Sequence, residues 1–128
     1  MSYYVNREVR APFGTVVQRV TDALGKEGFG VLTDIDVQAT LKKKLAVDVP
    51  PYRILGACNP TLAHQALQAE DKLGVMLPCN VVVRDAGDGN VEVAAVDPVN
   101  AMERVGNPAL APIARQVREK LQRALAAV

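Results

Sequence analysis

The chain has no tryptophan, a single histidine, two cysteines and almost no net charge, fifteen Lys and Arg standing against fourteen Asp and Glu for +1 at pH 7. Each shortage narrows the function classes. Near-neutrality removes the long-range field that draws basic proteins to nucleic acid or anionic lipid, so neither partner is expected. The lysine run Lys42-Lys43-Lys44 is a local exception, and it reads as a solvated helix face. With one histidine, any imidazole-based mechanism must use His64. The two cysteines lie twenty-one residues apart with no C-x-x-C, a spacing that argues against zinc, and no metal or other cofactor is expected. Met1-Ser2-Tyr3-Tyr4 is not a basic segment leading into an apolar one, and no stretch approaches the roughly eighteen apolar residues of a membrane span. The reading is a cytoplasmic protein with free thiols and no membrane partner. The glycines of Gly25–Gly30 and Gly87–Gly89 lack the strand-glycine-helix order of a phosphate cradle and read as turns.

What is present describes one domain spanning residues 1–128. Hydrophobic residues make up 49% and charged residues 23%, an ordinary globular balance, and 128 residues suffice for one self-supporting core. Tyr3, Val5, Arg7 and Val9 alternate with Tyr4, Asn6 and Glu8 as a first strand would. Pro12 starts a helix with Phe13, Val16, Val17, Val20 and Leu24 on one face, and Gly28 ends it. A second strand runs over 29–37, a short helix carries Leu41 and Leu45, and a third strand covers Tyr52 to Cys58. Asn59-Pro60 opens a helix to about Leu73, because asparagine can cap free N–H groups while proline presets the backbone. Cys79 to Asp85 and Val91 to Ala95 form a hairpin around Gly87-Asp88-Gly89-Asn90. Asp97-Pro98 caps a short turn carrying Met102, and a final helix presents Leu110, Ile113, Val117, Leu121, Leu125 and Val128 on one face, its regular part beginning near Pro112. This order predicts an α+β two-layer sandwich: an antiparallel five-stranded sheet with helices on one face.

Polar groups and thiols concentrate at strand and helix ends. Cys58 precedes the capping Asn59, where the positive end of a helix would favour a thiolate; the favoured reading is a small buried hydrophobe. Cys79-Asn80 repeats the Cys-Asn pair at the entrance to strand four, and Asp97 reads as a helix cap. If strands three and four are neighbours, the two sulfurs approach, with Met76 or Met102 as further soft ligands. His64 falls beside Gln68 and Asp71, off the Leu62, Ala66, Ala69 and Leu73 stripe, which predicts exposure. Asp34 and Asp36 share one face of strand two, where mutual repulsion would raise one carboxyl pKa and a solvated edge would not.

Gly28-Phe29-Gly30-Val31-Leu32-Thr33-Asp34-Ile35-Asp36, Ile54-Leu55-Gly56-Ala57-Cys58-Asn59-Pro60, Leu77-Pro78-Cys79-Asn80-Val81-Val82-Val83 and Val96-Asp97-Pro98 together resemble domain of unknown function family 302 over nearly the whole chain. The resemblance implies a small α+β fold like that of the TATA-binding protein, strand-helix-four strands-helix with an inserted helix, and implies no activity.

Two functional expectations follow. The first is a non-enzymatic small-ligand-binding or regulatory domain with a groove near Cys58, Asn59, Cys79, Asn80 and Asp97. The second is a thiol-dependent redox or soft-metal-handling protein using Cys58 and Cys79. In either case an antiparallel sheet this small leaves edges and a face to cover, which predicts a homo-oligomer such as a dimer.

Overall fold

A computed structural model describes residues 2–128. Five strands, β1 (Tyr4–Arg10), β2 (Gly30–Asp36), β3 (Tyr52–Cys58), β4 (Cys79–Gly87) and β5 (Asn90–Val96), form one sheet in the order β1-β5-β4-β3-β2. All four pairings are antiparallel. The helices are α1 (Phe13–Lys26), α2 (Val37–Leu45), α3 (Pro60–Ala69), α4 (Pro98–Glu103) and α5 (Ala111–Ala126), with 3-10 turns at Leu73–Met76 and Pro108–Leu110. The fold is the expected α+β arrangement, with both α2 and α3 inserted among the later strands.

β1 and β2 lie at opposite edges, so α1 must cross the whole sheet between them. It can do so because Val16, Val20, Ala23 and Leu24 recur on one face and are buried. α5 lies beside it through Val117, Leu121, Ala124 and Leu125. Beneath both helices the alternating residues Leu55, Ala57, Val81, Val83, Val91, Val93 and Ala95 complete the core. Arg7 reaches from β1 to donate to the carbonyls of Leu125 (3.3 Å) and Ala126, placing a cation at the negative end of α5. The opposite face of the sheet has no helix packed against it in the core.

Local signals set most boundaries. Gly28 adopts a φ of 85°, a left-handed conformation that stops α1 cheaply only in glycine. Pro12 stands just before α1 rather than within it, with ψ of 142°. α3 is shorter than its sequence implies, ending at Ala69 instead of running to Leu73, because Asn107 donates to the Ala69 carbonyl at 2.9 Å and Glu70 turns extended. Pro112 falls in the first turn of α5, where no N–H is required of it. No helix of the described residues is long and apolar enough to cross a membrane.

Candidate functional site: an apolar cavity at one end of the sheet

β3 ends at Cys58 and β4 begins at Cys79, and Ala57 stands opposite Cys79 in the ladder. The chain therefore leaves the sheet and re-enters it at the same end, and the whole excursion Asn59–Pro78 must lie beyond that end. Asn59 fixes how it starts: its Oδ1 accepts the Leu62 N–H at 3.2 Å, and Pro60 fills the first helical position. α3 then turns Leu62 and Ala66 inward, and the buried Leu73 anchors the return.

Between this excursion, α4 and the first half of α5 lies a cavity of about 310 Å³. Its floor is the sheet end with Ala57, Cys58 and Cys79; its sides include Leu62, Leu73, Met102, Leu110 and Ile113. The space exists because alanines stand where larger residues would fill it: Ala57, Ala63, Ala66 and Ala114 all contribute to the wall. A bulge between Val31 and Thr33 leaves Leu32 unpaired in β2, and its side chain joins the wall while remaining 67% exposed. The polar side chains of the wall are Asn59, Cys58 and Cys79. The Oδ1 of Asn59 is taken by the cap, and its Nδ2 lies against Gly28.

Both cysteines are free thiols and half-buried. Burial, and secondarily the nearby Cys58, push the Cys79 thiol up to about 11, so it stays protonated at neutral pH. Among the described residues no three His, Cys, Asp or Glu side chains gather as a metal site.

Of the five residues expected at the groove, Cys58, Asn59 and Cys79 meet in this cavity, and Asn80 and Asp97 do not. Cys79 shares its face with the buried Val81 and Val83, so Asn80 points to the opposite face, where it is exposed. Asp97 is a structural cap. It is 2% exposed, accepts from the Val99 and Asn100 N–H groups at 3.0 and 3.3 Å, and stands 3.3 Å from the Arg118 Nε. His64 is exposed on α3, as its place off the apolar stripe implies. Met102 reaches the cavity wall, whereas Met76 lies outside it.

Of the two readings of this acidic pair, a carboxyl raised by its neighbour is not what Asp34 shows. Arg53 binds the Asp34 carboxylate through two hydrogen bonds and holds its pKa below the usual value, while Asp36 caps α2 by accepting from the Ala39 N–H. The lysine run lies on α2, which buries no residue, and Lys42 pairs with Asp48 at 2.9 Å.

Sequence reasoning did not find the alanines, Leu32 or the α5 side of the cavity, and of α4 it named only Met102 among the wall residues. Only the Cys58–Asn59–Pro60 and Pro78–Cys79 punctuation marked the place.

The chain matches the family model described as domain of unknown function DUF302 over residues 5–128. It belongs to the DUF302 family. This DUF302 chain is also similar to a crystal structure of an uncharacterized conserved DUF302 protein from Bacillus stearothermophilus, at 28% identity and a TM-score of 0.92, over 99% of this chain and 98% of that one. A search of curated proteins gives no match.

Proposed function

We propose that this DUF302 domain binds one small, uncharged, largely apolar molecule in the cavity beyond the β3–β4 end of the sheet, as a carrier or sensor rather than as an enzyme. The carrying observation is the cavity itself: about 310 Å³, within the range of small-molecule sites, with walls that are apolar except for one amide and two thiols. Water inside such a wall finds few hydrogen-bonding partners, so a space of this chemistry favours a hydrocarbon-like guest. A carboxylate or phosphate would meet no cation in the wall.

Binding without turnover is favoured because the wall pairs no nucleophile with a base: His64 stands outside it, and Cys79 is held protonated. The thiol-dependent reading draws less support for the same reason.

The test is a titration with the fluorescent apolar probe N-phenyl-1-naphthylamine. Saturable one-to-one binding that is lost in Ala114→Phe, with the fold retained by circular dichroism, supports the reading. Probe binding that is absent, or unchanged by filling the cavity, refutes it.

A further inference from the structure

We infer that the sheet face turned away from the helices is a dimer interface, covered by the same face of a second copy of this chain. The two faces of the sheet should differ sharply if one meets water, and here about half of the outer one is apolar. The registers place Ala94 beside Val82, Val82 beside Ile54, and Ile54 beside Ile35, an unbroken apolar row crossing four strands. Tyr4 and Ile35, at the two edges, are 39% and 47% exposed. Tyr52 and Val96 extend the patch, and with Tyr3 and Tyr4 it borders a shallow concavity of about 360 Å³. All three tyrosines of the chain therefore lie around this one face.

The charges on the face select the occupant. Arg84 and Glu92 pair at 2.7 Å, Asn6 donates to the other oxygen of Glu92 at 2.8 Å, Glu8 stands opposite Glu92, and Arg10 donates to Asn90 at 3.3 Å. The four charges sum to zero and all but Glu8 are paired or hydrogen-bonded within one copy, so covering the centre of the face orphans little. It offers no field to a polyanion or an anionic membrane. Shape favours self-pairing as well. The apolar row is small at Ala94 and large at Ile54, with Val82 between them on the central strand. A two-fold axis along β4 at Val82 sets Ala94 against the partner's Ile54, large against small on both sides.

The area is sufficient. Five strands ~4.8 Å apart and about seven residues long at ~3.4 Å each give a face of roughly 550 Å². Two such faces remove about 1,100 Å² from water, at the threshold of a specific interface. The product is a four-layer particle with the helices outside and both cavities open to solvent, so the interface stands independently of what the cavity binds.

Sedimentation or light scattering at tens of micromolar tests this. The expected result is twice the 13.7 kDa chain mass for the unaltered protein, falling to the single-chain mass in Val82→Lys. Val75→Lys, an equal change at an 86% exposed position off this face, is expected to leave the dimer intact. Circular dichroism and probe binding report whether Val82→Lys remains folded, and Ala94→Glu provides a second break in the same row. A single-chain mass for the unaltered protein, or a dimer that survives both Val82→Lys and Ala94→Glu, overturns the inference.

Discussion

Gly56 packs so closely beneath Thr33 that a Cβ on it would come within 2.2 Å of Thr33 Oγ1 and 2.8 Å of Pro78 Cγ. The contact joins β3, β2 and the end of the cavity-forming excursion at one point. Gly56→Ala is therefore expected to destabilise the fold by about 1–3 kcal/mol, the usual cost of overpacking. Adding Thr33→Ala should recover part of that loss, because it removes the nearer of the two obstacles. Urea denaturation of the single and double variants measures both effects, and additive losses would contradict the contact.

Asp97 holds the start of α4 and faces Arg118 of α5 while almost wholly buried. Asp97→Ala leaves two N–H groups without their acceptor, and a cost of about 1–3 kcal/mol is expected. Asp97→Asn keeps an acceptor oxygen and should cost less. Equal losses for the two variants in thermal unfolding would remove the cap as the explanation.

Acid should weaken the fold through Asp34 and Glu92. Hydrogen bonds from Arg53 lower the Asp34 pKa, and those from Asn6 and Arg84 lower that of Glu92. A carboxylate depressed in the folded state contributes stability that is present above its unfolded pKa and lost as pH falls through the folded one. The loss is expected below about pH 4 and should be modest, since Asp34 is well exposed. Arg53→Gln should flatten that acid limb in a series of melts, and an unchanged limb would contradict the assignment.

Cys79 acts in the opposite direction. Its folded pKa is raised to about 11, so the folded state holds a proton that the unfolded chain releases near pH 9. Stability is full below the unfolded value and declines between about pH 9 and 11. Cys79→Ala should reduce that alkaline loss relative to the unaltered protein. In folded protein Cys79 should alkylate slowly at pH 8, which peptide mapping after iodoacetamide can read.

The elements were largely legible because their signals are local. β3 runs from Tyr52 to Cys58 as its bounding residues imply, and Asn59-Pro60 and Asp97-Pro98 cap helices where they stand. The α3 terminus was not legible, since Asn107, thirty-eight residues away, stops the helix at Ala69. Half of the site was visible as punctuation around Cys58 and Cys79. The position of Asn80 was readable from the alternation of Cys79, Val81 and Val83, which already assigns it to the other face. The cavity was not readable. An alanine such as Ala66 or Ala114 reads as a small core residue, and unfilled volume appears only when four elements meet around it.

The most direct measurement is a methyl NMR titration of the folded protein with N-phenyl-1-naphthylamine. The cavity account predicts saturable shifts at Leu62, Leu73, Met102 and Ile113, with Val82 and Ile54 on the outer face unmoved. Shifts centred on Val82 and Ile54, or none at the cavity methyls, would contradict it.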